Sequence, residues 1–449
     1  MSKNATVGLF ASLALALLFY LVALPFFSQT HAQLIAIIVL LVSLWTNEAL
    51  PLGVVSLLPI ILFPAFGILG VKESTINYAN PIIFLFFGGF LISIALEKVE
   101  LHRYIAQKIL SRFVSSSHSL LLAIMSISAL LSSVLSNTTT ALLLMPMAMH
   151  ITKDATTKAR LALGVAYGAS IGGVLTPIGT APNLIYLGFM QDRGGVGIGF
   201  LQWVMMLLPL VVFMLYFGSK LLSLGMKKLH FELSDDSKEL DLKQKKVLYL
   251  IVALALLLLL NSSIEPIWSG LGLDENLILL GFGLVLFTPF FGVLEWSKDR
   301  GKIPLEIMFL FGAGFSIAAA FASTGLDVQV ASHLDILADL PPFLLLLSVA
   351  LLVTFATEVT SNTALISIML PIVFSLCQSI GVDPTLVMMV ATIGASFAFM
   401  LPIATPPNAI AMSSGALKIS QMAKYGIIFN LVGSVMITSF AYLFWSLLI

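Results

Sequence analysis

Apolar runs of about 20 residues follow one another along the chain, each long enough to carry a helix across roughly 30 Å of hydrocarbon. The pattern predicts membrane-spanning helices over 6–27, 33–47, 51–69, 80–97, 200–219, 246–262, 274–294, 304–323 and 426–448. The short alternating strands of a lipid-facing β-barrel are absent from it. Two further apolar segments, 160–192 and 386–412, are broken by TPIGTAPN and LPIATPPN and predict interrupted helices. Two more, 119–151 and 344–381, are too long for one crossing and carry small polar clusters, LSNTTT and TSNTA. They predict re-entrant hairpins, which dip in and return on the same side. The expected fold class is an all-α polytopic membrane protein with about 11 crossings and two re-entrant hairpins. The first run follows Lys3, is long for a signal-peptide core and has no small-residue cleavage site before Pro25. It reads as a retained first helix.

The polar interruptions recur at one offset of 225 residues. Ser136, Asn137, Thr138 and Pro146 correspond to Ser361, Asn362, Thr363 and Pro371. The motif Thr180–Ala181–Pro182–Asn183 corresponds to Thr405–Pro406–Pro407–Asn408, and FLFFGGF at 84–90 to FLFGAGF at 309–315. Pro64 and Gly67 match Pro289 and Gly292 at the same offset. One register held over so long a stretch marks a duplicated unit. Five expected crossings separate the two polar clusters, so the second copy is inverted relative to the first. Inverted repeats are the architecture of secondary transporters, with the site where the copies meet.

Composition agrees: 59% of residues are hydrophobic and 10% charged, against about 25% charged in soluble domains. Net charge is zero and no basic domain occurs, which excludes nucleic acid as a partner. With a cytoplasmic N-terminus, the expected spans leave only Lys72 and Arg193 of the 22 basic residues outside. That bias follows the positive-inside rule and puts the C-terminus outside. The hydrophilic stretch 220–246 reads as a cytoplasmic linker with a solvated charge run. The single cysteine, Cys377, reads as a packed apolar residue.

Non-helical backbone at membrane depth survives only against protein or a watery cavity. Two hairpin tips and two helix breaks meeting at the midplane would form one pocket, lined by hydroxyls, amides, carbonyls and half-helix N-termini. None of the four carries Lys, Arg or His. A doubly charged anion would then need bound cations to supply positive charge, and oxygen ligands suit hard cations such as Na⁺. Single Ser, Thr or Asn residues in membrane helices more often join helices by hydrogen bonds. Two copies of the same paired motif point instead to a binding site.

The Ser-Asn-Thr pair with GTAPNLI and ATPPNAI resembles the divalent-anion:sodium symporter family, as do LWTNEALPLGVVSLLP and NYANPIIFLFFGGF. The resemblance covers nearly the whole chain. It implies sodium-coupled import of C4 dicarboxylates such as succinate, malate or fumarate through a bacterial inner membrane, by a homodimer using an elevator mechanism. The implied units are scaffold helices over 1–115 and 246–340, transport units over 116–225 and 341–449, and a linker over 226–245. The first of at least two sodium sites would use Ser132, Ser136, Asn137 and Gly179; the second, Thr357, Thr360, Asn362 and Ala404. Substrate carboxylates would meet Ser136, Asn137, Thr138, Thr180, Ser361, Asn362, Thr363, Thr405 and Pro406. Position 360 departs from a small apolar residue in the family, and a backbone carbonyl could serve there.

A sulfate or other divalent-anion symporter, or a dicarboxylate exchanger, shares the architecture. Exchange through a basic side chain in place of sodium finds no such residue near the motifs. An intramembrane enzyme would need catalytic carboxylates or a His/Cys set, and no HExxH, phosphate-binding loop or Cys/His cluster occurs. A passive channel is excluded only by uphill accumulation. Glu358 has a serine at its counterpart, position 133, and reads as a structural acid bonded to nearby backbone rather than a proton site. Glu48 reads as a helix-end residue, and His102 and His150 as interfacial residues beside basic clusters. FFGGF and FGAGF read as close helix contacts.

Overall fold

The computed structural model describes residues 3–113, 116–193, 198–226, 239–262, 268–332 and 340–448. The first half runs α1 (Lys3–Ala23), α2 (Gln29–Asn47), α3 (Leu52–Ala65), α4 (Val71–Ile76), α5 (Pro81–Lys98), α6 (Leu101–Phe113), α7 (Ser117–Ser132), α8 (Asn137–His150), α9 (Ala155–Gly173), α10 (Ala181–Asp192) and α11 (Phe200–Ser223). The second runs α12 (Leu242–Asn261), α13 (Glu275–Val285), α14 (Trp296–Asp299), α15 (Leu305–Thr324), α16 (Leu326–Ser332), α17 (Pro342–Ala356), α18 (Asn362–Ser379), α19 (Pro384–Ala395), α20 (Pro406–Ser413) and α21 (Ile419–Leu443). No strand forms among the described residues. Eight helical stretches among them are long and apolar enough to cross a membrane. The chain is a multi-pass, all-helical membrane protein.

The sequence repeat is a structural repeat. Helices α3, α5, α7, α8, α9, α10 and α11 recur as α13, α15, α17, α18, α19, α20 and α21. Even the turns agree: Gly67 and Gly292 both adopt left-handed φ values, 68° and 57°, a region that glycine enters without a Cβ clash.

Helix α9 is buried on every face from Leu161 to Gly173. It lies against α7 so closely that a Cβ on Gly172 would stand 2.2 Å from the Ala129 Cα. Small residues permit that approach where apolar burial supplies little drive between helices. The expected glycine contacts form as well. A Cβ on Gly88 would meet the Leu279 carbonyl at 2.3 Å, and one on Gly312 the Tyr78 ring at 2.2 Å. A second, smaller core joins α2, α3 and α15.

Several boundaries differ from expectation. The linker is shorter than 220–246, because α11 runs to Ser223 and a capping box of Asp241 with Gln244 starts α12 at Leu242. Lys243, Lys245 and Lys246 therefore sit on a helix, while Lys227, Lys228 and Lys238 lie outside the described residues. The crossing expected over 274–294 is helical only to Val285, ahead of Pro289, which has no N–H to give. Four short helices, α4, α6, α14 and α16, were not expected. Among them α6 is strongly amphipathic, with charge on one face, and single-window hydropathy hides such a helix. It buries His102, whereas His150 is exposed.

Candidate functional site: hairpin tips and helix breaks

Each hairpin is a helix, a tight tip and a second helix that begins on the asparagine of Ser-Asn-Thr. Ser136 and Ser361 are the N-caps. The Ser136 hydroxyl accepts from the Thr139 N–H at 3.1 Å, satisfying one of the orphan donors of α8. At the end of α7, the Ser132 hydroxyl donates to Asn137 Oδ1 at 2.5 Å. In the second copy, the Thr357 hydroxyl donates to Asn362 Oδ1 at 2.6 Å and contacts the Ala395 carbonyl at 2.9 Å. Two residues of each expected cation set thus touch.

Gly179 belongs to the same cluster. A Cβ on Gly173 would lie 2.6 Å from Asn137 Oδ1, and a Cβ on Gly179 would lie 2.4 Å from the Gly173 carbonyl. Break and tip therefore share one crowded spot. Ala404 N–H donates to the Leu401 carbonyl at 3.2 Å, as Gly179 N–H does to that of Thr176 at 3.3 Å. Both turns place the residue before the half-helix alike. The Thr360 hydroxyl turns away, donating to the Ala356 carbonyl at 2.8 Å.

The polar groups left over have one character. Among the described residues, the side-chain nitrogens of Asn137 and Asn362 have no hydrogen-bond acceptor. Among the described residues, the hydroxyls of Thr138, Thr180 and Thr363 make no hydrogen bond either. Thr405 caps α20, accepting from the Asn408 N–H at 3.3 Å, and Pro406 is its first helical residue. No hydrogen bond joins Asn137 to Asn362 among the described residues; α8 packs against α20, and α18 against α10. Each copy's hairpin thus packs on the other copy's half-helix.

Glu358 has a role that the sequence only outlined. Its Oε1 accepts from Phe399 N (2.7 Å), Met400 N (2.8 Å) and Asn430 Nδ2 (2.7 Å), and its Oε2 from Leu401 N (2.9 Å). These backbone donors lie in the break between α19 and α20, where no helix satisfies them. Tyr167, from the first copy, donates to the Phe399 carbonyl at 2.8 Å. The first break is held differently, with the Thr176 hydroxyl on the Ser133 carbonyl and Trp203 Nε1 on that of Val174. Sequence reasoning did not single out Asn430, Tyr167 or Trp203, since their spacing from the motifs reports nothing about contact.

A cavity of about 550 Å³ opens where α5 begins and α10 ends, and no expected ligand residue lines it. There Asn80 caps α5 and donates from Nδ2 to both Asp192 oxygens at 3.1 Å.

Residues 34–394 match the citrate transporter family model. An uncharacterized transporter of Haemophilus influenzae is 34% identical, over 98% of this chain and 97% of that protein. The sodium-dependent dicarboxylate transporter SdcS of Staphylococcus saprophyticus is 30% identical, over 98% and 92%. Its Staphylococcus aureus counterpart gives the same figures. Among solved structures, the Alcanivorax borkumensis YdaH transporter superposes with a TM-score of 0.58 at 16% identity, over 84% of this chain and 89% of that one, a likeness of fold. With duplicated Ser-Asn-Thr tips and Thr-x-Pro-Asn breaks built into that fold, the chain belongs to the divalent-anion:sodium symporter family of membrane transporters.

Proposed function

We propose that the protein imports C4 dicarboxylates such as succinate, malate or fumarate, driven by an inward sodium gradient. The observation that carries this reading is the polarity of Asn137 and Asn362. Each turns Oδ1 toward a hydroxyl of its own tip and, among the described residues, leaves its amide N–H groups without a partner. An amide oxygen with a neighbouring hydroxyl suits a hard cation, and the amide N–H suits a carboxylate. One side chain then faces both cargoes, so each raises the affinity for the other. Glu358 is the only ionisable residue in the tips and breaks. The SdcS relatives carry sodium and dicarboxylate in their name.

Sodium would occupy at least two positions, one with Ser132, Ser136, Asn137 and Gly179, the other with Thr357, Thr360, Asn362 and Ala404. The anion would meet Ser136, Asn137, Thr138, Thr180, Ser361, Asn362, Thr363, Thr405 and Pro406. The scaffold is formed by 1–115 and 246–340, and 116–225 with 341–449 moves as the elevator within a homodimer. The N-terminus is cytoplasmic and the C-terminus outside, in a bacterial inner membrane. Packing of α10 on α18 and of α20 on α8 supports a transport unit built from both copies.

Uptake of labelled succinate into proteoliposomes tests the reading. Accumulation is expected with an inward Na⁺ gradient and not with K⁺; equal uptake in both refutes symport. The citrate transporter family match supports a tricarboxylate as second reading. Thermal shifts with succinate, citrate or sulfate, each in Na⁺, decide between them.

A further inference from the structure

The fourth residue of each Thr-x-Pro-Asn motif has no part in the binding sets proposed for sodium and substrate, yet its geometry is duplicated in both copies. Asn183 is wholly buried, and its Nδ2 donates to the carbonyls of Gly173 (3.2 Å) and Thr176 (2.9 Å). Asn408 is likewise buried, and its Nδ2 donates to Ala398 (3.0 Å) and Leu401 (3.0 Å). Donors and acceptors correspond pair by pair at the 225-residue offset, although the breaks read VLTPIGT in one copy and SFAFMLPIAT in the other.

A helix break leaves carbonyls without helical partners, and nothing local fixes where they point. One primary amide supplies two N–H donors from a single planar group, so it can fix two carbonyls at once. Neither asparagine is needed to start its helix: Thr180 and Thr405 occupy the N-cap positions. In the first copy the effect reaches the cation cluster directly. The Gly173 carbonyl held by Asn183 abuts Gly179, and Gly173 itself abuts Asn137 Oδ1. A small shift of that peptide displaces two of the expected ligands together.

We propose that Asn183 and Asn408 are the positioning residues of the two sodium sites, each orienting the break on which its site is built. This rests on the sodium-coupled reading above. Partners behind a metal's ligands typically change its affinity ~10–100-fold.

The test uses the full-length protein in detergent, with melting temperature followed against NaCl at constant ionic strength held with KCl. Asn183→Leu and Asn408→Leu keep side-chain size and remove both donors. Each is expected to raise the sodium concentration for half-maximal stabilisation ~10-fold or more. Asn183→Ser and Asn408→Ser, which retain one small donor, cover the case in which a leucine variant does not fold, and are expected to shift the midpoint less. Ser128→Ala removes one buried hydrogen bond to the Val165 carbonyl, away from the tip. It is expected to lower the melting temperature without moving the sodium midpoint. Asparagine variants that keep the wild-type midpoint, or shift it no more than Ser128→Ala, overturn the proposal while symport stands. A wild-type protein that sodium does not stabilise overturns both.

Discussion

The Ser132 hydroxyl donates to Asn137 Oδ1 across 2.5 Å, closing the first hairpin tip on itself. That bond fixes which end of the amide faces the tip and which faces away, and Thr357 does the same for Asn362. The two-sided use of one amide is where sodium and substrate binding would be joined.

Asn137→Ala and Asn362→Ala should therefore each remove a ligand for both cargoes. Sodium-driven uptake is expected to fall more than ~10-fold in either variant, with protein still found in the membrane by immunoblot. Wild-type uptake in one of them would remove that asparagine from the site.

Thr363→Val deletes a single hydroxyl at nearly constant volume. A hydrogen bond to a charged acceptor contributes about 1.5–3 kcal/mol, so the apparent KM for substrate should rise about tenfold or more, with a smaller change in maximal rate. An unaltered KM would show that this hydroxyl does not meet the substrate.

Glu358→Gln tests the clamp on the second break. The amide puts a donor where Phe399, Met400 and Leu401 N–H groups and Asn430 need acceptors. Leaving buried donors unmatched costs about 1–3 kcal/mol. The melting temperature in sodium-free buffer should drop by several degrees. If it does not, the carboxylate is not what holds the break.

His102 gives the pH dependence. Burial in α6 holds its imidazole below the ordinary 6.5, with the Leu96 carbonyl, Glu97 and Glu100 pulling weakly the other way and Arg103 adding to the depression. Neither ring nitrogen has a hydrogen-bond partner of ordinary geometry. The unfolded chain therefore binds this proton more readily than the folded one. The stabilisation is fully present above 6.5 and is lost as pH falls toward the folded value. Melting temperatures between pH 8 and pH 5 (~3 units) should fall for wild type and fall less for His102→Phe. Parallel curves would assign the acid sensitivity to other groups.

Much of this was legible because two constraints act locally. Lipid admits few backbone forms, so the length of an apolar run announces a helix, and polar interruptions such as Ser136–Asn137 and Thr180 announce its exceptions. Duplication then made the motifs readable twice, as Ser136 with Ser361 and Asn183 with Asn408. Amphipathic α6 escaped notice because its charge dilutes any hydropathy window.

The sequence alone determined the helical class, the repeat and its register, and the residues gathered at tips and breaks. Those follow from periodicity and offset, which are properties of one dimension. Only the tertiary structure decided that Glu358 clamps residues 399–401, that Tyr167 of one copy steadies the break of the other, and that Gly173 presses on Asn137. Such contacts join residues far apart in the chain, and they are set by how close glycine lets two backbones come and by which orphaned donors and acceptors then face each other.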